Sequence, residues 1–256
     1  MSQSTHLRGV VLSRREVSPE LWVVRLLPEE RLAFLPGQYI TIGLPDGRRT
    51  IERPYSVASS PRERELEFFV ELVHEGELTP QLYDVRVGGE VLLRRLAKGR
   101  FVFDYQGGRL NHFMVATVTG VAPFLSILRD FVAAQAAGQR IVHRLALLQA
   151  ASLAAGFGYL EELSGYAREN PWFRYVPTVS RIWSDTAWTG EVGRAEDVLR
   201  KHLDALGWTA ADTTVYFCGN PTMIQNAKGI LHRAGFSKES VKEEQYWVEA
   251  TRTASG

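Results

Sequence analysis

Hydrophobic and polar positions along this chain follow two different rhythms. Up to residue 106 the apolar positions come in short runs: Leu7–Ser13, Leu21–Leu27, Tyr39–Leu44, Pro54–Ala58, Leu66–Val73 and Glu90–Leu96. In "LEFFVELV" (66–73), Leu66, Phe68, Val70 and Leu72 fall on one face of a strand, and Glu67, Phe69 and Glu71 on the other. Pro36-Gly37, Asp46-Gly47, Gly76 and Gly88-Gly89 supply turns between the runs. Short strands at this spacing predict an antiparallel barrel or sandwich.

The rhythm changes after "DYQGGRLN" (104–111). Apolar runs now alternate with helix-period segments. "HFMVAT" precedes a helix over 123–137 and "HRLALLQ" one over 157–169. "FRYVPTV" precedes a helix over 195–206 and "TVYFCG" one over 221–234. Repeated strand–helix units predict a parallel sheet covered by helices, with ligands at the carboxyl ends of the strands. Gly107-Gly108 marks the boundary, giving domains 1–106 and 107–256.

Composition narrows the function. The 256 residues, 45% hydrophobic and 23% charged, suit two soluble domains, and a net charge of +1 argues against a nucleic-acid or membrane-surface binder. A single cysteine, Cys218, excludes an intrachain disulfide and a cysteine-ligated cluster built within this chain. The six histidines lack metal-ligand spacing, so no metal site is expected. Without an apolar signal core or a transmembrane-length stretch, a cytoplasmic monomer is the expectation.

Three helix starts share a pattern: Thr79-Pro80 after Gly76, Ala122-Pro123 after Gly120, and Asn220-Pro221 after Gly219. Proline suits the first helical position, and Thr79 and Asn220 suit N-caps. Glycines upstream would let backbone N–H groups approach an anion. One such start is an ordinary capped helix. Three, two of them at the strand ends of a parallel sheet, fit two phosphate-bearing cofactors, one per domain. In "ERPYS" (52–56), Arg53 offers a forked donor for a diphosphate, Tyr55 a ring face and Ser56 a hydroxyl. On chemistry alone, a strand with an exposed arginine and a half-buried tyrosine is the better reading of these residues.

"RPYS", "GELT", "VTGVAPF" and "CGNP" occur in the order found in the ferredoxin–NADP reductase family. The chain resembles its bacterial type, also called flavodoxin reductase, from about residue 7 to residue 249. The resemblance implies a six-stranded antiparallel FAD barrel, then an α/β parallel-sheet nicotinamide-nucleotide domain whose C-terminal tail returns to the flavin. It implies FAD and NADP as cofactors, with NAD as the second choice. Hydride would pass between NADP(H) and FAD, and single electrons between FAD and ferredoxin, flavodoxin or another small iron–sulfur carrier. The alternatives are the reductase component of an oxygenase system, a free-flavin reductase, and a non-catalytic flavin-binding module.

The resemblance also implies roles. Arg53, with Pro54 beside it, would take the FAD diphosphate, Tyr55 would stack on the isoalloxazine, and Ser56 would sit near its N5. Phe69, Val70, Glu71 and Leu72 match the strand lining the flavin. Gly76, Glu77, Leu78 and Thr79 match the loop and helix start on the diphosphate. Thr119 and Gly120 match the loop between flavin and nicotinamide. Cys218, followed by Gly219, Asn220 and Pro221, matches the group beside the reacting nicotinamide carbon, with a buried strand thiol as the alternative. Ser152, Ser180, Arg181 and Arg194 fall at the adenosine end. Glu249 would help position the nicotinamide, and Trp247 and Arg252 would lie over a cofactor ring.

The chain departs from the pattern in three places. Val118 stands where the family loop carries glycine, and ordinary β geometry there would make valine tolerable. Ser152 replaces an arginine that would bind the 2′-phosphate of NADP. The tail carries Thr251-Arg252 where relatives carry Ala-Phe, and Tyr246 would either stack on a cofactor or plug the domain interface. Arg94, Arg95, Lys98 and Arg100 form a basic cluster that reads as a docking patch for an acidic carrier or as a solvated strand end.

Overall fold

The computed structural model describes residues 5–46 and 49–246. The first part is a six-stranded antiparallel sheet of β1 (His6–Ser18), β2 (Leu21–Pro28), β3 (Tyr39–Asp46), β4 (Arg49–Ser56), β5 (Leu66–Glu71) and β6 (Glu90–Arg94). Its spatial order is β4-β3-β6-β1-β2-β5. A short helix, α1 (Thr79–Asp84), precedes β6. All six predicted strands are present. β1 runs on to Ser18 because two register shifts let it keep pairing with β2, and β4 begins at Arg49 because it closes a hairpin with β3. The curled sheet encloses Leu7, Trp22, Leu26, Ile40, Ile42, Phe68 and Leu93.

The second part is a parallel sheet ordered β10-β9-β8-β7-β11-β12. Its strands are β7 (Asn111–Thr117), β8 (Arg144–Ala151), β9 (Phe173–Val179), β10 (Glu191–Val192), β11 (Thr213–Gly219) and β12 (Val241–Gln245). The helices are α2 (Ala122–Ala136), α3 (Leu160–Glu169), α4 (Ala195–Leu206) and α5 (Pro221–Arg233). α3 starts three residues later than its periodicity predicts, because Phe157, which ends a 3-10 turn over Ala154–Gly156, has extended backbone and Tyr159 is the N-cap. Alternate residues of β7 face opposite layers: Met114 and Ala116 pack with α2 and α3, Phe113 and Val115 with α4 and α5. No helix among the described residues is long and apolar enough to cross a membrane.

The domains share a core. Leu21, Val23 and Phe69 from the first sheet and Ala58 from the loop after β4 join Phe124, Leu128, Tyr159 and Cys218 in one cluster. β5 therefore buries both faces: Phe68 looks into the barrel, while Glu67 and Phe69 are buried against the second domain. Arg129 of α2 bonds Glu67 at 2.9 Å, the Ala58 carbonyl at 3.1 Å and Glu162 of α3 at 2.7 Å. Tyr159 adds its hydroxyl to Glu67 at 2.9 Å.

Candidate functional site

In the parallel sheet the chain winds one way through β8, β9 and β10 and the other way through β11 and β12. The switch point lies between β7 and β11, and a ligand crevice is expected outside the carboxyl ends of those strands. Their ends are Thr117 and Gly219. A 3-10 turn over Val118–Val121 leads into α2, and Asn220 caps α5 by accepting from the N–H groups of Thr222 and Met223 at 2.9 and 3.1 Å. The two loops interlock: the Asn220 N–H donates to the Thr117 hydroxyl at 2.8 Å. A Cβ on Gly120 would stand 2.3 Å from the Cys218 carbonyl oxygen, and one on Gly219 would stand 2.1 Å from Thr117 Oγ1. These glycines are required by the approach of one loop to the other, where the sequence suggests approach to an anion.

Val118 does not have β geometry. Its φ is +44°, and it is the one non-glycine with positive φ among the described residues. The turn starts immediately after β7 and Val118 packs against the apolar clusters on both sides, so the side chain stays where its backbone is strained. Thr79 does not cap α1. Its hydroxyl is taken by the Val73 backbone, accepting from the N–H at 2.9 Å and donating to the carbonyl at 3.1 Å, which closes the loop through Gly76.

In the first domain β4 and β5 are the two edges of the sheet, so the cleft between them is bordered by strand edges without strand partners among the described residues. Arg53 of β4 pairs with Glu77 at 3.4 Å, and Tyr55 sits edge-on to Phe68 at 6.4 Å. Pro54 and Glu77 are exposed, Gly76 half-buried and Leu78 buried. Leu72 is half-buried and Glu71 exposed in the same strip. Val70 points into the barrel and Phe69 packs edge-on to Tyr159 at 5.5 Å, so neither ring nor methyls stand open to a ligand. Burial raises the Tyr55 phenol above its ordinary range.

Ser56, at the end of β4, reaches the second domain. Its hydroxyl donates to Glu244 of β12 at 2.8 Å and accepts from the Tyr246 hydroxyl at 2.9 Å. The Tyr246 N–H is held by the Gly219 carbonyl at 2.9 Å, and its ring packs against the cluster that contains Cys218. Tyr246 therefore plugs the domain interface. Cys218 is wholly buried beneath it, and burial pushes the thiol well above its usual range. Burial likewise raises Glu244. Glu244 carries no motif; only its place beside Cys218 in the β11–β12 register reveals it. Glu249, Trp247 and Arg252 lie outside the described residues.

At the far side of the crevice the Ser152 carbonyl accepts the Arg181 N–H at 3.0 Å, which puts Ser152, Ser180 and Arg181 together past β8 and β9. Thr119 and Gly120 are buried in the turn beside β11, while Pro221 opens α5. Arg194 stands apart: it lines a groove between α4 and α5 with Glu196, Asp197 and Arg233. The basic cluster is half neutralised, since Arg94 pairs with Glu52 at 2.7 Å and Arg95 with Glu30 at 2.7 Å, while Lys98 and Arg100 are exposed.

Two family models match, an oxidoreductase FAD-binding domain over residues 9–103 and an oxidoreductase NAD-binding domain over residues 114–229. The flavodoxin/ferredoxin–NADP reductase of Escherichia coli is 32% identical over 209 residues, covering 77% of this chain and 78% of that protein. The chain belongs to the ferredoxin–NADP reductase family. The ferredoxin–NADP reductase of Pseudomonas aeruginosa is 26% identical over 238 residues, 88% of either chain. The reductase component of a phenol 2-monooxygenase from a Pseudomonas species is 28% identical over 95% of this chain, which spans 66% of that protein. A ferredoxin–NADP+ reductase from Neisseria gonorrhoeae, solved with FAD and NADP bound, superposes with a TM-score of 0.85 at 23% identity, covering 96% of this chain and all of that one.

The protein is thus an oxidoreductase with FAD- and NAD(P)-binding domains. Its residues fit those groups. The β4–β5 cleft offers a guanidinium, hydroxyls and strand edges to a flavin nucleotide. The switch point offers a capped helix start, with the exposed Arg181 at its outer end, to a nicotinamide nucleotide.

Proposed function

We propose that this protein passes electrons from NADPH, with NADH as the second donor, through FAD to a ferredoxin or flavodoxin. The observation that carries this reading is the junction of Ser56 with the Cys218-Gly219 strand end through Tyr246, whose hydroxyl bonds Ser56 and whose N–H bonds the Gly219 carbonyl. It joins the end of the flavin-side strand to the end of the nucleotide-side strand. Bound FAD supplies the chemistry, taking two electrons as hydride and releasing them singly. The chain's own residues bind, orient and exclude water. Arg53 would hold the diphosphate, its guanidinium exchanging Glu77 for phosphate oxygens, with Pro54 and the Gly76–Thr79 loop around it. Tyr55 and Ser56 would flank the ring system, with the β5 edge from Phe69 to Leu72 offering backbone groups. Thr119, Gly120 and the Gly219–Pro221 loop would seat the nicotinamide ribose and phosphates on the α5 start. Ser152, Ser180 and Arg181 would face the adenosine, and Arg194 would join them on leaving its groove. The Arg129 network would hold the domains at a fixed spacing, as close approach of two rings demands. Residues 1–106 then form the FAD domain and 107–256 the nucleotide domain of a cytoplasmic monomer.

A second reading is the reductase component of an oxygenase system. It is favoured by the phenol 2-monooxygenase reductase, which matches 95% of this chain. Either carrier would be acidic and would meet the exposed Lys98 and Arg100. Reduction of a ferredoxin, a flavodoxin and an oxygenase-type iron–sulfur protein, each at increasing salt, separates the two. The proposal expects fastest transfer to ferredoxin or flavodoxin, falling with salt. Transfer only to the oxygenase-type protein would establish the second reading.

A further inference from the structure

The Glu77 carboxylate bridges two arginines of β4, pairing with Arg49 at 2.9 Å and with Arg53 at 3.4 Å. Arg53 has a second hold: it donates to the Glu52 carbonyl at 2.9 Å, so its guanidinium keeps its place without Glu77. The loop that carries Glu77 is fixed at its base. Thr79 closes on the Val73 backbone at 2.9 and 3.1 Å, and the Gly76 N–H donates to the Val73 carbonyl at 2.8 Å. The Glu77 carbonyl accepts from the Gln81 side chain at 3.0 Å. The Glu77 side chain, by contrast, is 47% exposed, and that of Arg49 is 63% exposed. The backbone of the loop is therefore set, while the carboxylate is able to turn from one arginine to the other.

We propose that Glu77 competes with the FAD diphosphate for Arg53 and so sets how tightly FAD is held, with Arg49 as the partner to which the carboxylate withdraws. The inference rests on the proposed function, which gives the Arg53 guanidinium to the diphosphate. A carboxylate and a phosphate oxygen seek the same forked donors. An exposed ion pair is weak, so a diphosphate displaces Glu77 readily. The displaced carboxylate keeps its shorter contact, the one with Arg49, which neutralises it and holds it off the incoming anion. Without Arg49, Glu77 would stay on Arg53 or stand unpaired beside the diphosphate, and either lowers affinity. The loop that surrounds the diphosphate in the proposed function thus also carries the group that opposes it. Charge at this one position tunes the retention of FAD without touching its ring.

The test uses the full-length, FAD-loaded protein. Serial dilution, read by the fluorescence of released FAD, gives the dissociation constant for wild type, Glu77→Gln, Arg49→Gln and the double variant. Glu77→Gln should tighten FAD roughly two- to fivefold, the range of one exposed ion pair. Arg49→Gln alone should weaken FAD, but should change nothing once Glu77→Gln is present, because Arg49 acts through Glu77. Unchanged or weaker binding in Glu77→Gln, including failure to load FAD, overturns the proposal. An equal weakening by Arg49→Gln with and without Glu77→Gln overturns it as well, since Arg49 would then hold FAD directly. Arg53→Gln keeps the two readings apart. If it weakens FAD while Glu77→Gln has no effect, this inference alone is contradicted. If the variants follow the expected pattern but neither NADPH nor NADH bleaches the flavin, the proposed electron transfer alone is contradicted.

Discussion

Val118 shows what a single residue can conceal. Its motif is legible in the sequence, but its φ of +44° is not, because the expectation of a strand-end geometry follows from the same letters. Left-handed backbone costs an L-residue about 1–3 kcal/mol. Glycine would relieve that strain and lose the valine's packing, whereas alanine would lose the packing and keep the strain. At an ordinary site glycine is worse than alanine by roughly 0.5–1 kcal/mol. Here Val118→Gly is expected to be the more stable of the two by about 1 kcal/mol in urea unfolding. The reverse order would mean that the loop does not hold this geometry in solution. Glu244 and Arg129 were invisible for a different reason. Neither belongs to a motif, and each acquires its role from a partner far away in the chain.

At the scale of elements, period-two and helical patterns locate the six strands of the first sheet and, in the second, β7, β8, β9, β11 and the four long helices, because each has at least one face that must be buried; β10 and β12, short and only partly buried, carry no such pattern. They miss what the second face of β5 meets. The alternation in "LEFFVELV" marks Glu67 and Phe69 as the outer face, yet both are buried under α2 and α3. Arg129, at 2.9 Å, and Arg25, at 3.5 Å, are the reason a carboxylate can lie there. Removing Arg129 leaves Glu67 with the more distant cation and without its shorter charged hydrogen bond, a loss of roughly 1.5–3 kcal/mol. Arg129→Met should therefore lower the unfolding free energy by that order, and adding Glu67→Met should recover a large part of it. A double variant no more stable than the single one would show that the ion pair is not the element holding α2 to β5.

A second buried cluster lies at the opposite end of the sheet. His112 of β7 bonds the Tyr216 hydroxyl at 3.2 Å and His143 at 3.0 Å, with the Phe103 ring tilted against it at 4.2 Å. Burial, reinforced by His143, pulls the His112 imidazole from 6.5 down to about 3. Between those values the unfolded chain binds a proton that the folded chain refuses, so stability falls as pH drops from 6.5 toward 3. The slope from this group approaches about 1 kcal/mol per pH unit. Chemical denaturation from pH 7 to 4 should give a shallower dependence in His112→Gln than in wild type. Equal slopes would mean that His112 titrates normally.

The whole molecule is a flavin domain and a nucleotide domain locked through one shared core, with their candidate sites meeting where Ser56, Tyr246 and Cys218 join. The order of four short motifs makes the family legible, although each is weak alone. The position of the adenosine-end arginines is less so: Arg181 stands at the crevice while Arg194 lies in the α4–α5 groove, because side-chain direction is set by helix packing that the strand pattern does not contain. Electron transfer through this molecule requires that the strained loop, the interlocked glycines and the domain lock together make a working nicotinamide site. Anaerobic stopped-flow of the FAD-loaded protein with NADPH and with NADH measures this directly. The account predicts rapid bleaching of the bound flavin spectrum, with NADPH the faster donor. A bound flavin that neither nucleotide bleaches would contradict it.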